Sequence, residues 1–187
     1  GLKMQGALDH VGLDVTDLRV LDLGISTGGF SDCLLQAGAA SIVGVDVGHS
    51  QLAPKLANDA RVSLFEGVNA RHLQAAELGL DPAQPAIDLI VIDVSFISLK
   101  LVLPSAIPLL RPGGHLLSLV KPQFEVGREG LSKGGIVKDE RLYQHVQRNI
   151  TDLCQQLGLQ VADFFDSAIK GGDGNREFFV FASKPGL

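Results

Sequence analysis

Two cysteines, Cys33 and Cys154, are too few for a disulfide framework and lack the spacing of a thiolate metal site. Cys33 falls in a helical stretch and reads as a small buried filler. Long apolar runs are missing as well. Although 45% of the 187 residues are hydrophobic, the runs are cut by Asp88, Asp93, Pro104 and Pro108, and none approaches the roughly 18 residues of a membrane span. The first residues carry no charged segment leading into an apolar stretch, so no signal peptide is expected, and a cytoplasmic protein is. The five histidines, His10, His49, His72, His115 and His145, show no ligand spacing, which predicts no metal site. No G-x-S-x-G motif occurs, and Ser95 reads as part of a strand-end turn. Positive charge is scarce: the net charge is −5, which argues against holding a polyanion by bulk attraction. The imbalance is uneven, with 5 basic and 12 acidic residues up to Asp93 and 11 and 9 beyond it, so a polyanion is expected to approach the second half. Internal repeats and low-complexity tracts are absent.

What is present is an alternation of short apolar runs with amphipathic stretches, the α/β pattern of a mostly parallel sheet covered on both faces. Strands are predicted at Arg19–Leu23, Ser41–Asp46, Val62–Glu66, Ile87–Asp93, Gly114–Lys121, Leu159–Phe165 and Glu177–Ser183. Helices are predicted at Gly28–Ala37, Gln51–Ala57, Ala70–Leu78, Ser98–Leu110 and Glu140–Leu157, the fourth kinked or broken by Pro104 and Pro108. Pro122–Lys138 fits no regular element. It follows the fifth strand, at the edge where open α/β sheets bind ligands, and reads either as a substrate-contacting lid or as a solvated surface loop. The length suits one domain.

The most specific stretch is Val20–Phe30, where a glycine-rich turn directly follows an apolar strand. Gly24, Ser26, Gly28 and Gly29 allow close approach of a ligand. The dinucleotide pattern G-x-G-x-x-G lacks its middle glycine here, and Asp22 leads the turn. A carboxylate there disfavours a phosphate and suits a cationic cofactor. Asp46 ends the next strand, 22 residues after Gly24, where doubly wound folds hold ribose hydroxyls. Together these resemble the pocket of S-adenosylmethionine (SAM)-dependent methyltransferases. Cofactor contacts are expected from Asp22, Gly24, Ser26, Thr27, Gly28, Gly29, Phe30, Asp46, Asn69 and Asp93; Asn69 reads equally well as a helix cap.

Asp93 and Lys121 end adjacent apolar strands, at the sheet edge that supplies active-site groups. Around them, Val91-Ile-Asp-Val-Ser-Phe-Ile-Ser-Leu, Leu119-Val-Lys-Pro-Gln-Phe-Glu and Gly174-Asn-Arg-Glu-Phe resemble the TlyA-type proteins, known as haemolysins or ribosomal RNA methyltransferases and related to the FtsJ-type 2′-O-methyltransferases. The resemblance runs from Gly1 to about Ser183. It implies a Rossmann-like, doubly wound SAM-methyltransferase fold of seven mostly parallel strands ending in an antiparallel hairpin. It further implies a Lys-Asp-Lys-Glu catalytic tetrad on Lys3, Asp93, Lys121 and Glu177, SAM as cofactor, and RNA, by resemblance ribosomal, as partner. An N-terminal S4-type RNA-binding module usually precedes this domain in the family, so the chain is expected to be a fragment with weak activity on RNA by itself.

A ribose 2′-hydroxyl is a weak acid, so methyl transfer to it needs in-line positioning and help in losing its proton, for which Lys121 is the expected group, as base or as oxyanion stabiliser. Arg128, Lys133 and Arg176 are candidate phosphate contacts. The competing readings are a membrane-active haemolysin-like protein, a non-catalytic SAM-binding or ribosome-assembly factor, and a small-molecule O-methyltransferase. Stable membrane association is not expected, because spanning runs, basic amphipathic helices and barrel-like alternation are all lacking.

Overall fold

A computed structural model describes residues 1–186. Seven strands form one sheet: β1 (Arg19–Leu23), β2 (Ser41–Asp46), β3 (Val62–Glu66), β4 (Ile87–Ile92), β5 (Leu110–Val120), β6 (Gln160–Asp166) and β7 (Phe178–Ser183), in the spatial order β3-β2-β1-β4-β5-β7-β6. The first five are parallel, and β7 runs antiparallel between β5 and β6. This is the doubly wound sheet with a terminal antiparallel pair that the alternating pattern and the family resemblance led us to expect.

Each central strand is apolar on both sides because successive side chains point to opposite faces and both faces are covered. Leu21 and Leu23, Ile90 and Ile92, Leu116 and Val120, and Phe178 and Val180 enter one core with α4 (Leu99–Ala106) and α5 (Glu140–Gln156). Val20, Leu89 and Val91, Leu117 and Leu119, and Phe179 enter the other with α1 (Leu2–Val11) and α2 (Gly29–Gln36). The order of strand addition reverses between β1 and β4, since β2 and β3 are laid down on one side of β1 and β4 on the other, parallel to it, with Leu23 opposite Ile92. The crevice beyond the carboxyl ends of these two strands is where such sheets take ligands.

Several elements differ from the sequence expectation. Helix α1 is absent from that reading, which treated the segment around Lys3 only as a family motif. Met4, Ala7 and Leu8 lie at helical spacing and are buried, and Gly12, at φ 68°, ends the helix by donating its N–H to Leu8 O at 2.9 Å. Strand β5 starts at Leu110, ahead of the expected Gly114. Helix α4 continues through Pro104 and tightens into a 3₁₀ turn at Ile107–Leu109, around Pro108. The stretch 70–78 forms two 3₁₀ turns rather than a helix, Ala70–His72 and Ala75–Leu78, and only Pro54–Ala57 (α3) of the stretch 51–57 is helical.

Candidate functional site

The turn after β1 is built by close backbone approach. Gly24 donates its N–H to Val45 O at 2.8 Å, while Asp93 donates its own to Leu23 O at 2.9 Å, drawing the ends of β1, β2 and β4 together. Gly24 has φ 79°, and a Cβ there would stand 2.8 Å from the Asp93 carbonyl carbon and closer still to its oxygen. Gly28, at φ 98°, is likewise hemmed in by the Leu52 and Leu56 side chains. Between them Ser26 adopts φ 52°, costly for a residue other than glycine, and is held there by Asp46. The Asp46 carboxylate accepts Ser26 N–H at 2.7 Å through Oδ2 and Gly48 N–H at 2.8 Å through Oδ1. It thereby fastens the glycine turn to the loop after β2 and keeps lone pairs for further donors.

Two cavities flank this turn. One, of about 540 Å³, is lined by Ser26, Asp46, Asn69, Asp93, Phe96 and Lys121 among others. The second, of about 430 Å³, is lined by Lys3, Thr27, Gly29, Phe30, Asp93 and Ile169 among others. Gly24, Ser26 and Asp93 border both, so the cavities adjoin, and each falls in the size range of small-molecule sites.

Four residues of the implied tetrad form two ion pairs around this junction. Lys121, at the end of β5, reaches Asp93 Oδ1 at 2.5 Å and donates to Ser95 Oγ at 3.1 Å, with its side chain 12% exposed. Lys3, on α1, donates to Glu177 Oε1 at 2.9 Å across 174 residues of sequence, and Glu177 is 3% exposed. Gly171 packs on the same carboxylate, where a Cβ would lie 3.0 Å from Glu177 Cδ. So deeply buried a carboxylate needs a partner, and helix α1 supplies it.

The segments after β4 and β5 are braced against each other. Besides the Lys121 contacts, Phe124 packs on Phe96 with ring centroids 5.0 Å apart. Glu125 accepts the Ser98 hydroxyl at 2.5 Å and Leu99 N–H at 2.9 Å, capping α4 from outside the helix. Burial raises the Glu125 pKa, opposed by those two hydrogen bonds. Phe96 itself is 90% exposed at φ 63°. Phe96 and Glu125 were not singled out from sequence. Their only signal was their place inside the two motifs that carry the family resemblance.

Some expected site residues have other work. Asp22 is 1% exposed beneath α2, where it accepts the Ser31 hydroxyl at 2.6 Å, and it does not line either cavity. Its Oδ1 has no partner among the described residues. Burial pushes its pKa up to about 7, against the pull of the Ser31 hydrogen bond, and the carboxylates of Asp93 and Asp46 add to the rise. The folded-state value thus lies above the unfolded one. Below about pH 4 this group costs no stability, and the folded state loses ground as pH rises from about 4 to about 7. Asp22→Asn is accordingly expected to be the more stable protein at pH 8, by an amount on the order of 2–4 kcal/mol, with the gap closing toward pH 4. Denaturant unfolding across that range measures it; a gap independent of pH would contradict the assignment.

Arg176 is also committed elsewhere. It donates to Asp166 at 2.7 and 3.0 Å and to Glu140 at 3.2 Å, and its guanidinium lies 5.1 Å from the Tyr143 ring and 4.9 Å from that of Phe178. These contacts give Arg176 a packing role between β6, α5 and β7, with its guanidinium already paired to two carboxylates. Arg128 and Lys133 are exposed on the Pro122–Lys138 segment. Asn69 lines the first cavity, and its Oδ1 caps the turn at Ala70–His72 by accepting Arg71 N–H at 2.9 Å, so the cap is formed at the cavity wall. Among the described residues no group of three or more metal-ligating side chains occurs, and no helix is long and apolar enough to cross a membrane.

A family model described as FtsJ-like methyltransferase matches residues 1–184. The chain is 43% identical over 186 residues to a candidate rRNA methyltransferase of Bacillus subtilis, YqxC, covering 100% of this chain and 65% of that protein. It is 40% identical over 179 residues to the 16S/23S rRNA (cytidine-2′-O)-methyltransferase TlyA of Mycobacterium tuberculosis, covering 96% of this chain and 65% of that one. The crystal structure of a candidate hemolysin from Lactococcus lactis superposes with a TM-score of 0.92 at 40% identity, covering 99% of this chain and 86% of that one. The chain thus spans about two-thirds of the length of the two curated relatives.

Proposed function

The chain belongs to the FtsJ-like methyltransferase family, and from that membership we propose that it transfers a methyl group from SAM to a ribose 2′-hydroxyl of RNA, ribosomal RNA being the substrate. The observation that carries the reading is Lys121, held by Asp93 and Ser95 at the wall of the glycine-turn cavity, next to an aromatic ring that is 90% exposed.

The cavity fits SAM on two grounds. Gly24 lets the ends of β1 and β4 close against each other at the junction of the two cavities, which a Cβ meeting the Asp93 carbonyl would prevent, and the Asp46 carboxylate retains acceptor capacity beside it for ribose hydroxyls. Ser26, Asp46 and Asn69 would hold the nucleoside part, with Gly24 and Asp93 nearer the reacting end. SAM supplies an electrophilic methyl on a sulfonium.

The remaining chemistry belongs to the chain. With two of its three N–H donors engaged, Lys121 has one left for the attacking oxygen, which it orients and whose developing charge it stabilises while the hydroxyl proton passes to solvent water. Asp93 and Ser95 fix that ammonium, so little reorganisation accompanies the reaction. Lys3 and Glu177 form a second pair beside the adjoining cavity. Phe96, exposed and backed by Phe124, offers a face on which an unstacked base can rest. Arg128 and Lys133, exposed on the segment after β5, are the candidate cations for phosphates.

The test is transfer of labelled methyl from SAM to ribosomal subunits and to naked RNA, followed by alkaline digestion. A 2′-O-methyl group removes the hydroxyl that attacks the neighbouring phosphodiester, so the label should emerge in an alkali-resistant dinucleotide. Label on a base, on a small molecule, or nowhere despite SAM binding would overturn the proposal. Membrane activity, suggested by the hemolysin description of the Lactococcus relative, gains no support from the described helices.

A further inference from the structure

The segment between β5 and α5, irregular as expected, is fastened rather than loose. Its tip is the turn Lys133-Gly134-Gly135, with Gly134 at φ 84° and Gly135 at φ 76°. Ser132 closes this turn by donating both its N–H, at 2.7 Å, and its hydroxyl, at 2.8 Å, to Ile136 O. Behind it lies Asn175, 1% exposed. The Asn175 Oδ1 accepts Val137 N–H at 3.0 Å, and its Nδ2 donates to Gly135 O at 3.1 Å and to Asp173 Oδ2 at 2.9 Å. Asp173 Oδ1 in turn accepts Asn175 N–H at 2.9 Å, and the Tyr143 hydroxyl donates to Val137 O at 2.6 Å.

One planar amide therefore grips the Lys133 turn at two points, donating to Gly135 at its tip and accepting from Val137 on the arm that leaves it. Few side chains carry both functions at that spacing. Asn175 lies two residues before Glu177, and Gly171, which packs on the Glu177 carboxylate, donates its N–H to Asn175 O at 3.0 Å. We infer that Asn175 is a positioning residue that anchors the cationic Lys133 turn to the strand end bearing Glu177, giving the RNA-facing cations a fixed register against the reacting groups. The geometry stands alone; its consequence for RNA rests on the function proposed above.

Asn175→Asp tests this in the intact chain. It keeps the volume and the acceptor for Val137 but removes the Nδ2 donor and sets a second carboxylate against Asp173. The double variant D173N/N175D returns a donor opposite the new carboxylate. In the single variant the two carboxylates repel and the residue 175 side chain is pushed off the turn, so amide exchange at Val137, measured without RNA, should accelerate about 100-fold. Its KM for RNA should rise about 10-fold, with kcat and SAM affinity within about twofold of the parent. Partial recovery of both the exchange rate and KM is expected in the double variant. Unchanged exchange at Val137 would overturn the inference. So would loosening that spreads to the β1 and β4 amides with loss of SAM affinity, the mark of a merely structural residue. A parent chain that methylates no RNA would sink the proposed function, while exchange at Val137 would still decide whether Asn175 anchors the turn.

Discussion

Lys121→Ala is expected to lower kcat for methyl transfer by about 10³-fold or more while SAM affinity changes by no more than about threefold. Lys121 is the group that the end of β5 carries to the cavity wall, and its ammonium is fixed by Asp93 and Ser95 before any substrate arrives. Removing it takes away the cation facing the attacking oxygen and leaves the half-buried Asp93 without its counter-charge. Lys121→Arg should not rescue, because a planar guanidinium cannot enter the space that a compact ammonium fills between those two acceptors. Single-turnover kinetics with calorimetric SAM binding separates the two effects. Normal turnover by the alanine variant would sink the assignment of Lys121 to the reacting oxygen and favour a SAM-binding protein without catalysis.

Gly24→Ala should have the complementary effect, a loss of SAM affinity by about 100-fold. Two costs coincide there. The backbone sits at φ 79°, and the added Cβ would meet the Asp93 carbonyl, which is backbone and cannot swing aside. Relief requires β1 and β4 to part at their carboxyl ends, where the two cavities adjoin. Gly134→Ala isolates the first cost. Its φ is 84°, but nothing stands within 4 Å of a Cβ there, so only the left-handed strain of roughly 1–2 kcal/mol is expected. SAM titration of both variants, with thermal unfolding alongside, measures the difference. Retention of parental affinity by Gly24→Ala would mean that the glycine turn is not the cofactor cradle.

Much of this was legible in the chain itself. Short continuous apolar runs located the strands closely, with β1, β2 and β3 matching the expected bounds, because burial on both faces of the sheet leaves such a run within five or six residues. The glycine turn was visible because left-handed backbone and close approach restrict residue type locally. Helix α1 carries a local signal in Met4, Ala7 and Leu8 followed by Gly12, but its one narrow apolar stripe over ten residues is weak beside the strand pattern.

Other features had no local signal. Nothing near Asp22 says that its carboxyl is sealed under α2 instead of facing the cavity it introduces; the parity of its position on β1 decides the face, and Ser31 decides its partner. Arg176 and Lys133 look alike in sequence as cations among glycines, yet one is stacked on Tyr143 and Phe178 and paired to Asp166 and Glu140 while the other is exposed. Asn175 has no local signal for its role, which arises only where the fold brings Gly135 and Val137 against it.

The sequence by itself determined the strand set and the glycine turn, because these depend on local apolar patterning and backbone permissiveness, and through family motifs it named Lys3, Asp93, Lys121 and Glu177 as candidates by residue identity. Only the tertiary structure decided which charges are partners and which are free. Lys3 meets Glu177 across 174 residues and Asn175 meets Val137 across 38, and such contacts depend on the order and direction in which strands enter the sheet, which no window of sequence contains.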